Sequence, residues 1–256
     1  MILHAVEVGQ GSPPLVMLHG LFGSARNFGA VQRELARPRR TLALDLRNHG
    51  DSPHAADMRY ATMAADVLET LRQLAALPAV LLGHSMGGKA AMLVALAEPE
   101  AVARLIVADI APVPYPPHHR ATAETMAALP LAPGMARADA DAALAGAVPD
   151  AGMRAFLLQN LQLGAAPRWR IGLAEIIAGF ADIEAWEAPP DARYDGPTLF
   201  IAGAHSGYIK PDYRPVIRTL FPRARFVTLK NAGHWLHADN PAGFIGVVEA
   251  FLTSPD

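Results

Sequence analysis

Residues 79–96 read Ala79-Val-Leu-Leu-Gly83-His84-Ser85-Met86-Gly87-Gly88-Lys89-Ala90-Ala-Met-Leu-Val-Ala-Leu96. A continuous apolar run is followed by Gly-x-Ser-x-Gly and then by a helix-forming run of Ala, Leu and Met. A strand that passes straight into a helix forces the residue at the bend into a strained backbone conformation. Flanking glycines let the two segments cross without Cβ clashes. Ser85 is then lifted clear of the sheet at a helix N-terminus, where free amides and a positive dipole favour a developing oxyanion.

Six other short apolar runs read as strands: Ile2–Val8, Leu15–His19, Thr41–Asp45, Arg104–Asp109, Thr198–Ala202 and Arg225–Leu229. Most are unbroken rather than alternating, the pattern of strands buried on both faces of a parallel sheet. Helical stretches lie between them over Ala25–Ala36, Thr62–Leu77, Met86–Ala97, Pro211–Leu220 and Pro241–Leu252. Thr62 is expected to cap its helix, as is Asn240 ahead of Pro241. The alternation predicts an α/β fold with a mostly parallel sheet of seven or eight strands and helices on both faces. It breaks after Asp109. Residues 112–195 begin in Ala111-Pro-Val-Pro-Tyr-Pro-Pro117 and end near Pro189-Pro190, and they read as an inserted helical lid. The core is then 1–111 and 196–256. The insertion leaves from a strand end, where open α/β sheets bind ligands.

Composition narrows the function. Lys plus Arg number 22 and Asp plus Glu 24, a formal charge of −2, so no polyphosphate-binding surface is expected. Arg37, Arg39 and Arg40 read as a solvated loop. Cys is absent, which excludes disulfides, thiolate chemistry and Cys-ligated metals. No apolar run is long enough to span a bilayer, and the N-terminus lacks the basic region of a signal peptide, so a cytoplasmic location is expected. No cofactor and no metal are expected. His234 and His237 stand at H-x-x-H spacing, but no third ligand accompanies them.

A serine hydroxyl needs a base. His234, in Asn231-Ala-Gly-His-Trp-Leu-His237, follows the last strand at the edge where Ser85 emerges. His237 is its rival and is expected to face solvent or pack on Trp235. His118-His119 is expected to be exposed, and His84 to be a packed neighbour of the nucleophile. Besides Met86, a second oxyanion amide is expected from His19-Gly20-Leu21-Phe22-Gly23. Leu21 is the preferred donor and Phe22 the alternative.

The series HGLFGS, LDLRNHGDSP, GHSMGGKA, ADIAP and NAGHWLHADNP resembles the α/β-hydrolase superfamily, and within it the YbfF-type esterases with their mitochondrial abhydrolase-domain relatives. The resemblance covers roughly 1–110 and 196–254 and is weaker between. It implies hydrolysis of carboxylic esters, acyl thioesters included, by a serine hydrolase without a cofactor. One departure stands out. Where many members place the acid, in G-x-x-D, this chain has Gly203-Ala204-His205-Ser206. Asp109, ending the strand after the nucleophile helix in a context matching the branch, is the candidate acid, with Ser206 as a hydrogen-bond partner in the network. Asp212 and Asp239 are the rivals; Asp212 also suits a helix first turn and Asp239 a turn or cap. Phe156-Leu157-Leu158 and Trp169 are expected to line an acyl pocket. The alternatives on the same fold are a cofactor-free haloperoxidase or perhydrolase, a C–C bond hydrolase, and a non-catalytic small-molecule receptor. The partner is a small acyl ester or thioester, with the chain a monomer or homodimer.

Overall fold

The computed structural model describes residues 1–117 and 119–255, so His118 lies outside the described residues. In chain order the elements begin with β1 (Ala5–Val8), β2 (Leu15–Leu18), α1 (Gly29–Leu35), β3 (Thr41–Leu44), α2 (Tyr60–Gln73), β4 (Ala79–His84), α3 (Met86–Ala97) and β5 (Val102–Ala108). Next come α4 (Arg120–Ala128), α5 (Arg137–Leu144), α6 (Ala151–Leu158), the short strands β6 (Leu161–Gln162) and β7 (Arg168–Trp169), α7 (Leu173–Ala178) and α8 (Phe180–Glu184). The chain returns to the sheet with β8 (Thr198–Gly203), α9 (Arg214–Leu220), β9 (Ala224–Leu229), α10 (Leu236–Asp239) and α11 (Pro241–Thr253).

Seven strands form one sheet in the order β1-β3-β2-β4-β5-β8-β9. Only β1 runs antiparallel to its neighbour. Successive side chains on each strand point to opposite faces, and the runs are apolar on both. Val16, Leu18, Leu42, Leu44, Leu81 and Val107 join a core with Met63, Val67 and Leu71 of α2 and Met92 of α3. Leu15, Met17, Ala43, Leu82 and Ile106 join a second core with Val31 and Leu35 of α1 and Phe244 and Val248 of α11. Parallel pairing brings the carboxyl ends of β2, β4, β5, β8 and β9 to one edge, and the site is built there.

Two local expectations change. Thr62 does not cap α2, which begins at Tyr60; its hydroxyl donates instead to Asp57 Oδ2 at 2.7 Å, a carboxylate already drawn in by Arg59. Arg39 and Arg40 are not merely solvated, because they pair with Glu249 and Glu7. Asn240 does cap α11, accepting from the amide of Gly243 at 3.0 Å, with Pro241 at the first helical position.

Between β5 and β8, helices α4–α8 pack partly on the sheet's first core and partly around a small core of Leu129, Ala140, Leu144, Leu158 and Leu161. Polar contacts tie this stretch to the sheet edge. Asn160 Nδ2 donates to the carbonyl of Phe22 at 2.7 Å, and the Gly172 amide to that of Asn48 at 2.9 Å. Among the described residues no helix is long and apolar enough to cross a membrane.

Candidate active site

The bend at Ser85 carries the strain that the sequence implies. Its φ is 52° and its ψ −119°, a region that side-chain-bearing residues rarely adopt, and α3 starts at the next residue. The glycines are required by close approach. A Cβ on Gly83 would sit 2.2 Å from the carbonyl oxygen of Gly87, and one on Gly87 2.3 Å from that of Leu18.

His234 is carried in from the far end of the chain. The loop after β9 is pinned where the His205 amide donates to the Ala232 carbonyl and the Gly233 amide to Asp239 Oδ2. His234 Nε2 lies 3.1 Å from Ser85 Oγ, and His234 Nδ1 lies 2.8 Å from Asp109 Oδ2. The three side chains therefore form one continuous hydrogen-bonded path. Asp109 is fully buried and has a positive φ of 53°, a conformation that Asp tolerates better than most residues. Its carboxylate also accepts from the Gly203 amide at 3.0 Å and from the Ser206 hydroxyl. Ser206 thus sits in the network at the place where the common pattern would carry an acid. Asp239 braces the histidine loop and Asp212 lies in the first turn after Lys210; neither contacts the imidazole.

The loop after β2 separates the two candidate oxyanion amides. The amide of Phe22 is already given to His49 Nε2 at 3.2 Å, whereas Leu21 lines the pocket beside Ser85. Met86 supplies a first-turn amide of α3, a position without an intrahelical acceptor. His49 holds this loop as a neutral ring. Its Nδ1 faces the Arg47 carbonyl at 2.8 Å, so that nitrogen carries the proton and Nε2 accepts. Burial pushes its pKa down to about 3. His19 acts alike on the neighbouring loop, with Nδ1 facing the Gly20 carbonyl and Nε2 accepting the Leu46 amide.

Several expectations about neighbouring residues need correction. His237 does not face solvent or pack on Trp235. It is buried against Phe28, His84 and Phe244, because the short helix α10 turns it inward. His119 is half-buried rather than exposed; it meets Phe22 edge-on and lines the pocket at Ser85. Phe156 lines that pocket too, but Leu157 and Leu158 point into apolar cores, and Trp169 borders a separate cleft with Gly50 and His54. His84 is the packed neighbour expected, with its Nε2–H donating to the carbonyl of His234 at 2.7 Å. Tyr208, which sequence reasoning passed over, stacks on the His234 ring with centroids 4.1 Å apart. A Gly-Tyr pair in a loop gives no signal of that contact.

The buried histidines make stability pH-dependent. Burial lowers the pKa of His19 and His84, and takes those of His49 and His237 to about 3 and about 4. The unfolded chain takes up protons near pH 6.5 that the folded chain refuses. Stability is therefore fully present above that pH and is lost as the pH falls towards 4. His49 and His237 should each cost on the order of 2 kcal/mol by pH 5. Melting temperatures measured from pH 8 to 4.5 should fall steeply below about 6.5, and a flat profile down to pH 5 would contradict this.

The comparisons with known proteins agree with this fold. The family model described as "alpha/beta hydrolase fold" matches residues 13–241. The chain belongs to the α/β-hydrolase family. It is 43% identical over 251 residues to the mouse sn-1-specific diacylglycerol lipase ABHD11, covering 94% of this chain and 81% of that protein. It is 35% identical over 242 residues to esterase YbfF of Escherichia coli, covering 93% and 92%. Among solved structures, a marine microorganism esterase superposes with a TM-score of 0.94 at 34% identity, covering 98% of this chain and 99% of that one. This α/β hydrolase resembles the branch that its motifs had indicated.

Proposed function

We propose that this α/β hydrolase is a serine hydrolase that cleaves carboxylic esters, acyl thioesters included, through an acyl-Ser85 intermediate. The observation that carries the reading is the unbroken path from Ser85 Oγ through His234 to Asp109. Relatives with esterase and lipase names support the ester class.

Ser85 Oγ attacks the acyl carbon while His234 Nε2 takes its proton. The oxyanion is held by the amides of Leu21 and Met86, each contributing about 3–4 kcal/mol to the transition state. Asp109 keeps the Nδ1 proton on His234 and stabilises the imidazolium, while the Gly203 amide and the Ser206 hydroxyl keep that carboxylate aimed. Tyr208 adds a π-face to the imidazolium. His234 then protonates the leaving alcohol or thiol. A water activated by the same nitrogen releases the acid. The stretch 112–195 serves as a lid, since Met153 and Phe156 of α6, together with His119, cover the nucleophile.

A fluorophosphonate tests the first step directly. The intact protein should gain one adduct mass, localised to the peptide bearing Ser85, with loss of ester hydrolysis in proportion. An accessible Ser85 that never labels would favour the receptor alternative.

A further inference from the structure

Two hydrogen bonds hold the His234 imidazole, Nδ1 to Asp109 and Nε2 to Ser85 Oγ. They fix the line joining the two nitrogens. The tilt of the ring about that line is only weakly held, because hydrogen bonds tolerate a broad range of angles. What lies on the ring's face therefore matters. Tyr208 stacks there, with centroids 4.1 Å apart and planes inclined by 22°. The His84 ring at 4.8 Å is inclined by 45° and the Trp235 ring at 6.0 Å by 62°, so the flat contact comes from Tyr208.

Tyr208 is itself fastened at the backbone. Its carbonyl accepts from the Tyr115 hydroxyl at 2.6 Å, and its amide donates to Ser206 Oγ at 3.3 Å. Ser206 donates in turn to Asp109, so the stacked ring and the acid share a mooring. The Tyr115 hydroxyl also accepts from the Ala111 amide at 2.9 Å, just beyond β5. The Tyr115 ring packs against that of Tyr208 at 5.2 Å and lies under the Lys89 ammonium at 5.1 Å. Lys89 donates onward to the Ala185 carbonyl at 2.7 Å, and the Tyr115 amide to the Glu184 carbonyl at 2.9 Å. Burial raises the Tyr115 phenol above its ordinary value, so its hydroxyl keeps the proton it donates.

We propose that Tyr208 is a positioning residue for deacylation, holding the His234 ring by its face while the acyl group sits on Ser85, and that the Tyr115 hydroxyl fixes Tyr208 in place. The inference rests on the serine-hydrolase reading above. During acylation the Ser85 hydroxyl still anchors Nε2. Once Oγ has become an ester oxygen it has no proton to give, and the ring is tethered through Nδ1 alone. Nε2 must then take a proton from water, and a tilted ring aims its lone pair away from that water. A misplacement of about 1 Å can cost about a hundredfold in rate.

The test is hydrolysis of p-nitrophenyl butanoate, whose good leaving group makes deacylation limit kcat. Active sites are counted with a fluorophosphonate, so each kcat is per reactive Ser85 and loss of folded enzyme drops out. Tyr208→Leu should lower kcat about tenfold or more, with KM falling alongside, so that kcat/KM changes by less than about threefold. Acyl-enzyme should then accumulate in the intact mass during turnover. Tyr208→Phe keeps the ring and should stay within about twofold of the native kcat. Tyr115→Phe should lower kcat about threefold in the same pattern. The positioning role is overturned if kcat per site is unmoved in Tyr208→Leu, if kcat/KM falls as far as kcat, or if phenylalanine rescues no better than leucine. Should Tyr208→Leu yield no reactive sites, Tyr115→Phe decides, and an unmoved kcat there overturns the proposal. A native Ser85 that neither labels nor cleaves any ester overturns the serine-hydrolase reading instead.

Discussion

Ser85→Ala is expected to lower kcat for ester hydrolysis by about 10⁶ while leaving the protein folded. The size follows from the way the three groups act. Without the hydroxyl, His234 has no nucleophile to deprotonate, and the correctly held imidazole and carboxylate lose their use. What remains is the oxyanion hole and substrate binding, worth about 10³–10⁴ over water. The fold should survive because nothing in the cores depends on Oγ; its contact is with His234 Nε2 at 3.1 Å. Backbone strain gives a second readout. With φ at 52°, Ser85 costs on the order of 1–3 kcal/mol. Alanine keeps that cost and glycine relieves it. Ser85→Gly should therefore melt above Ser85→Ala while being equally inactive, as read by calorimetry beside a p-nitrophenyl ester assay. A Ser85→Ala enzyme retaining a tenth of its activity would remove the acyl-serine mechanism.

Asp109→Asn is expected to cut kcat by up to about 10⁴, by analogy with serine proteases, and to leave the structure nearly unchanged. Asparagine tolerates the positive φ at this position and can still accept from the Gly203 amide. The side towards His234 is where the change falls. An amide NH2 pointed at Nδ1, 2.8 Å away in the native protein, donates where the carboxylate accepted. The imidazole must then carry its proton on Nε2, and that nitrogen no longer accepts the proton of Ser85. Steady-state kinetics with a circular dichroism control would show this, with kcat falling far more than KM rises. An unchanged kcat would return the acid role to another carboxylate, although Asp239 is held by the Gly233 amide and Asp212 stands in the turn after Lys210.

Much of this arrangement was legible in the chain because it is local. The seven apolar runs became the seven strands of the main sheet, with ends shifted by a few residues at most, since burial on both faces writes itself as an unbroken hydrophobic stretch. The first run lost Ile2–His4 from its strand, because the amides of Leu3 and His4 donate to the side chains of Thr70 and Ser52 rather than to β3. The turn at Gly83–Gly88 was readable for the same reason: strand, bend and helix lie within one short window, and only glycine fits where the backbones touch.

What sequence alone determined is therefore the layered sheet, the strained serine at the carboxyl edge, and a histidine loop able to reach it. Each depends on residues near one another in the chain. Tertiary structure alone decided which carboxylate faces the imidazole, why the amide of Phe22 is unavailable, how His237 is buried, and that Tyr208 stacks on the His234 ring. Those outcomes are set by pairings of residues tens to more than a hundred positions apart, such as Asp109 with His234 and Lys89 with Ala185. Periodicity and spacing carry no record of such distances; only the closed packing of the sheet, its loops and the helices over them fixes which side chains meet.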